Sequence, residues 1–326
     1  MFTNKDVELR TIYVINCIEQ RNLRVSNGEL LLEEENGDEK KTLTKLPFQK
    51  ILALFVVGHI RITTPLLEKC KRYNVALVVM KPSFRPVFFW ADAAEANFLL
   101  RRKQHLLSPE KALEIAKWLI LKKTQNQLSL LAKTRRTDAL TRSAKNGCEA
   151  TLQAIATAAP DAAALLGVEG RCAKTFFRAY FQDFDWQGRR PRAKCDILNA
   201  TLDIGYTMLF NFLESFIRMF GFDLYIGVYH KLWFKRKSLV CDLVEPFRCI
   251  IDAEVRKAFN RGQFSEKDFE HKDGEYRLLR KQNGHYMQVF FDALIPHKSQ
   301  IFTFVRDYYR CFMGDKNISA YPTFNI

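Results

Sequence analysis

The chain has 326 residues, 48% of them hydrophobic, and Lys+Arg outnumber Asp+Glu by 51 to 36 for a formal net charge of +15. That much apolar material excludes an intrinsically disordered chain, and the length favours two domains over one. The longest apolar runs, such as residues 51–57, are far too short to cross a bilayer, and no secretory signal precedes the first strand pattern.

Up to about Trp90 the pattern is that of strands. Short β-branched and aromatic runs at residues 11–15, 30–32, 51–57, 76–80 and 87–90 are separated by turn chemistry, with hairpin signals at Asn27-Gly28 and Asn36-Gly37. One helix is expected to interrupt them, opening near Thr64-Pro65 and running to about Arg72. From about Ala93 the period becomes helical. A basic stretch through Phe98, Leu99, His105 and Leu106 is broken at Ser108-Pro109, and a second runs from Ala112 through Trp118, Leu121 and Leu128 to Leu131. Leu198, Leu202, Tyr206, Leu209, Leu213, Phe216, Ile217 and Phe220 form an apolar stripe at helical spacing, which Gly221 should end. Residues 306–310 look helical, and 317–326 look irregular. The expected fold is α+β: a β-rich domain with one helix over residues 1–92, then a larger all-helical domain over 93–326.

The positive charge is clustered at 101–103, 122–123, 135–136, 189–194, and Lys231 with 235–237. Such clusters bind a polyanion by releasing its counterions, so nucleic acid is favoured over a merely solvated basic surface. The eight cysteines show no Cys-x-x-Cys pair or zinc-ligand spacing, and read as reduced core residues of a cytosolic protein.

Three segments carry candidate chemistry: Gly167-Val168-Glu169-Gly170, Gly227-Val228-Tyr229-His230 and Asp242-Leu243-Val244-Glu245. Each has a plain structural reading. Glu169 suits a helix start, where it complements the dipole, and Asp242-x-x-Glu245 before Pro246 suits a capping box. His230 taken alone is more often a core or surface residue than a ligand. The three-residue spacing of Asp242 and Glu245 also suits two carboxylates on one helical face sharing a cation. If Glu169, His230 and Glu245 converge, with Asp242 beside them, the mixed oxygen and nitrogen set suits Mg²⁺ or Mn²⁺, and the imidazole makes Mn²⁺ the easier fit.

These motifs, together with Arg190-Pro191-Arg192, Asn199-Ala200, Gly205-Tyr206 and the whole of residues 238–248, occur in the order and at about the spacing of one family. The sequence closely resembles the CRISPR-associated spacer-acquisition integrase and endonuclease, Cas protein one. The resemblance covers nearly the whole chain, and residues 58–66 leading to 75–79 also resemble that family's amino-terminal β domain. It implies a metal held by Glu169, His230 and Glu245, with Asp242 as an auxiliary catalytic acid. It further implies transesterification, in which the 3′-hydroxyl of a short protospacer duplex attacks a phosphodiester at the edge of the CRISPR repeat and leader. The implied partners are double-stranded DNA, a second copy of the chain joined through the β domain, and a small second adaptation protein, Cas protein two, bridging two dimers. DNA contacts are expected from Arg189, Arg190, Arg192, Lys194, Asn199, Lys231, Lys235, Arg236, Lys237 and Arg248. Lys231 and the Trp233-Phe234 insertion depart from the commonest family pattern. Two other readings stay open: a structure-selective nuclease using the same metal site, and a non-catalytic DNA-binding scaffold.

Overall fold

In the computed structural model, which describes residues 3–18, 21–36, 39–91, 97–157 and 159–326, the amino-terminal strands sort into two sheets according to how much charge they carry. A short helix α1 (Asn4–Leu9), closed by a Thr3 capping box, precedes β1 (Thr11–Cys17). The charged strands β2 (Arg21–Ser26), β3 (Glu29–Asn36) and β4 (Glu39–Pro47) form an antiparallel meander. Asn27 and Gly28 join the first two with positive φ of 49° and 81°, the geometry of a two-residue turn that only such residues adopt easily. The second hairpin signal, at Asn36-Gly37, lies partly outside the described residues, and the expected boundary at 92/93 lies wholly outside them. β2 and β4 escaped the sequence reading because Arg, Lys and Glu mask their alternation. Those charges meet across strands, with Arg24 2.8 Å from Glu33 and Lys40 3.0 Å from Glu35.

The apolar strands behave differently. β5 (Ile51–Gly58), α2 (Thr64–Tyr73), β6 (Ala76–Met80) and β7 (Pro86–Trp90) join β1 in a sheet of order β1-β5-β6-β7, with β1, β5 and β6 parallel and β7 antiparallel. All eight residues of β5 are buried, as expected of a central strand covered on both faces. Leu54 and Val56 pack toward α2 and the β2–β4 sheet, whereas Phe55 and Val57 join the core of the helical region.

That region begins with α3 (Phe98–His105) and α4 (Pro109–Lys133), the latter capped by Ser108, whose Oγ accepts from Lys111 N at 3.2 Å. It continues through α5 (Ala139–Thr157), α6 (Ala162–Tyr180), α7 (Ile197–Met219), α8 (Ser238–Leu243) and α9 (Arg248–Asn260). A two-stranded hairpin, β8 (Phe269–Lys272) and β9 (Glu275–Leu278), is added to the helical plan before α10 (Asn283–Leu294) and α11 (Lys298–Met313). α7 is the central helix, as its stripe predicts. Phe212 meets Phe55 at 6.1 Å between ring centroids, and Phe291 of α10 meets Phe55 at 5.0 Å. Burying each such ring contributes about 1.5–3 kcal/mol, so the sheet and the helices share one apolar interior. Among the described residues, no helix is long and apolar enough to cross a membrane.

Candidate metal centre and nucleic-acid groove

Two helices, a 3-10 turn and a loop bring the candidate residues together. Glu169 lies midway along α6, because Gly167 and Gly170 do not interrupt that helix. The helix-start explanation of Glu169 therefore fails: its carboxylate is two turns beyond the Asp161 cap and outside the reach of the terminal dipole. Asp242 is not a capping residue either. It sits fully buried on α8, with Oδ2 accepting from Val228 N at 2.6 Å and Tyr229 N at 3.1 Å, and Oδ1 accepting from His230 N at 2.9 Å. Gly227 permits this approach, since a Cβ there would collide with the Asp242 carboxylate and stand 2.9 Å from Ser238. Asp242 thus shapes the whole 227–230 segment.

The same carboxylate orients the imidazole. His230 Nδ1 lies 2.6 Å from Asp242 Oδ1, and since a carboxylate only accepts, Nδ1 carries the proton. In the neutral ring Nε2 then keeps its lone pair for a ligand. Asp242, three residues before Glu245 in sequence, spends its oxygens on the loop and the histidine. The two carboxylates do not share one partner.

Glu245 opens a 3-10 turn, Glu245–Phe247, between α8 and α9 and is 3% exposed. Asn126 of α4 holds that turn, donating to Pro246 O at 2.8 Å and to Phe324 O at 3.0 Å. Arg248 Nε donates to Glu245 Oε1 at 3.0 Å. Burial opposes ionisation of Glu245, but Arg248, Lys123 and His230 outweigh it and bring the pKa down to about 2. Lys123, one turn before Asn126, donates to Glu169 Oε1 at 2.5 Å and lies 2.7 Å from Glu245 Oε2. Lys122-Lys123 therefore does not act as a surface cluster: Lys123 points inward and joins the two acids that the motifs single out.

Among the described residues, no three His, Cys, Asp or Glu side chains stand close enough to hold a metal ion as they lie, and the Lys123 ammonium takes the place between the two carboxylates. The donor chemistry nevertheless fits a divalent cation. Lys123 stands 2.7 Å from Glu245 Oε2, and no other group among the described residues donates to that buried oxygen. A buried carboxylate oxygen with a free lone pair, a second carboxylate on the same ammonium and an imidazole held through its other nitrogen make an oxygen-and-nitrogen donor set.

These residues lie in a groove of about 1850 Å³. Arg192, Lys194, Lys235, Arg236 and Arg248 line it as the sequence suggests, and Arg85, Arg277 and Arg280 join them from outside the clusters named from the sequence. Lys231 and Arg190 are exposed outside the groove lining. Three residues expected to contact DNA are engaged internally, and Arg189 also lines the groove. Asn199 is fully buried, accepting from Arg189 Nη1 at 2.8 Å and Arg190 N at 2.9 Å and donating to Gly188 O at 2.9 Å, so it knots the 188–192 loop. Arg189 pairs with Asp203 and stacks on Tyr206. Lys237 pairs with both oxygens of buried Glu214 at 2.6 and 2.7 Å. At the groove mouth, Trp233 and Phe234 are 77% and 82% exposed. Tyr229, Lys123 and Asn126 were missed as site residues, and only the hydrophobic periodicity of α4 hinted that Lys123 faces inward.

A family model described as CRISPR associated protein Cas1 matches residues 15–291. A Rhodospirillum rubrum protein named CRISPR-associated endonuclease Cas1 2 is 30% identical over 293 residues, covering 83% of this chain and 82% of that one. Two solved structures share the fold. A casposase bound to an integration product has a TM-score of 0.76 at 20% identity, covering 94% of this chain and 92% of that one. A Cas6-RT-Cas1–Cas2 complex has a TM-score of 0.79 at 17% identity, covering 97% of this chain and 36% of that much longer one. With a family model spanning most of its length and a relative of that identity over four-fifths of it, the chain belongs to the CRISPR-associated Cas1 family.

Proposed function

We propose that the chain is a metal-dependent DNA strand-transfer enzyme of CRISPR adaptation, joining the 3′-hydroxyl of a short protospacer duplex to a phosphodiester at the edge of the repeat. One observation carries this reading: Glu169 and Glu245, 76 positions apart in sequence, converge on one cation position in the floor of a basic groove that also holds His230. Mn²⁺ or Mg²⁺ would be held by Glu169, His230 and Glu245, and when bound supplies Lewis-acid stabilisation of the attacking hydroxyl and the leaving oxyanion.

The protein's own groups do the rest. Asp242 keeps the Nδ1 proton on His230, which leaves the Nε2 lone pair free for a ligand. Arg248 keeps Glu245 ionised and, stacked 4.7 Å over the Tyr206 ring, is held at the floor of the groove. Among the described residues the buried Tyr229 hydroxyl has no hydrogen-bond partner, and burial followed by the Glu169 charge pushes its pKa up, so it stays a neutral hydroxyl beside the two acids. Arg192, Lys194, Lys235 and Arg236 position phosphates without reading sequence, while Trp233 and Phe234 offer stacking faces to unpaired bases. No side chain serves as a covalent nucleophile.

The fold neighbours described as a casposase on its integration product and as a Cas1–Cas2 complex support DNA and a small second adaptation protein as partners. A homodimer formed through the amino-terminal region completes the proposal. Against the scaffold reading stands Glu169, a largely buried mid-helix acid for which no capping role remains. The test pairs a labelled short duplex with a supercoiled plasmid carrying a repeat array in Mn²⁺. Label joined to plasmid supports integration, and shortened label alone replaces it with the nuclease reading.

A further inference from the structure

Lys123 is the only buried lysine among the described residues, and it lies where the proposed cation would bind. Its nitrogen stands 2.5 Å from Glu169 Oε1 and 2.7 Å from Glu245 Oε2. These oxygens are the ones a divalent ion would take, at about 2.0–2.2 Å, and two cations cannot share them. Without a cation between them, the two carboxylates would repel across a buried gap.

We propose that Lys123 is the resident counter-cation of this centre. Its ammonium holds Glu169 and Glu245 at ligating separation in the metal-free protein, and a divalent ion must displace it in order to bind. The flexible four-carbon stem allows the ammonium to withdraw, and the adjoining groove, which Lys123 itself lines, gives it somewhere to go. Lys123 is thus a positioning residue that keeps the site assembled while lowering its affinity for metal. This inference rests on the metal-centre reading above.

The experiment measures Mn²⁺ binding to the full chain without DNA, by the electron paramagnetic resonance signal of free Mn²⁺, for wild type, Lys123→Met and Lys123→Gln, with thermal unfolding in parallel. Both variants are expected to bind Mn²⁺ more tightly by roughly tenfold or more, because no bound cation has to be moved. They should also melt earlier than wild type without metal and gain more from its addition. A merely structural lysine would lower stability but not raise affinity. Should Lys123→Met fail to fold, Lys123→Gln keeps an amide able to donate to Glu169 and gives the same readout. Equal or weaker binding by the variants, with wild type binding normally, overturns the role given to Lys123. No Mn²⁺ binding by any of the three overturns the metal centre itself.

Discussion

Two buried acid clusters, one around Glu214 and the other around Glu169 and Glu245, use the same ingredients for different ends. Glu214 is fully buried on α7, with Lys237 on both oxygens and Arg218 2.8 Å from Oε1. No oxygen is left over, and the cluster pins the end of the 231–237 loop to the core. At the other cluster one ammonium, Lys123, is shared between Glu169 and Glu245, and no other group among the described residues donates to Glu245 Oε2. A histidine held from behind by Asp242 lines the same groove. A saturated ion pair is structure, whereas one with a spare lone pair facing a groove is capacity for a ligand.

The largest expected effect sets the two clusters most sharply apart. Glu169→Gln or Glu245→Gln should bring strand transfer down to the level without protein while DNA binding, followed by fluorescence anisotropy, stays intact. Retained strand transfer in both variants would remove the distinction. Conversely, Lys237→Met should cost about 3 kcal/mol of stability in chemical denaturation, because it leaves buried Glu214 with only Arg218, and should not change Mn²⁺ affinity. A smaller effect is expected from Asp242→Asn, which removes the carboxylate that fixes the histidine tautomer: Mn²⁺ affinity should fall about 10–100-fold. At the loop tip, Trp233→Ala should weaken single-stranded DNA binding by about 1–3 kcal/mol with little change for blunt duplex.

The smallest effect separates the centre from its supports by pH. Burial raises Asp252 from 3.8 to about 6, against the pull of the Tyr206 hydroxyl and of Arg248, Lys123 and Arg189. The folded state therefore binds more protons than the unfolded one between those values, and stability falls as pH rises through about 6. Asp252→Asn should flatten that slope in thermal melts taken across the interval. Glu245 has the opposite sign. Its pKa lies at about 2 instead of 4.5, so its contribution is present above 4.5 and is lost as pH falls toward 2.

Much of the fold was legible because burial on one side imposes a period. The α7 stripe, the Ser108-Pro109 break and the Asn27-Gly28 turn all depend on residues close in sequence, and each occurs where expected. Charged strands β2 and β4 did not announce themselves, since their partners across the meander complete a pattern that neither strand carries alone. In the site, residue types and spacings pointed to Glu169, His230, Asp242 and Glu245. The spacing of Asp242 and Glu245 misled, because α8 ends between them and sends the carboxylates to different partners. Arg189 and Lys237 read as DNA contacts because a run of positive charge looks the same whether or not acids lie beneath it, and Asn199 because the loop that it knots is remote from it in sequence.

By itself the sequence determined the two kinds of secondary structure, the order of the apolar elements, and the donors able to meet a cation, since local period and side-chain chemistry need no distant partner. Tertiary structure decided which charges remain free. Lys123 became the occupant of the centre, and Asp242 the support of His230, through contacts between segments that are remote along the chain. Electrostatic and hydrogen-bond energies depend on separations of a few ångströms that no linear spacing encodes.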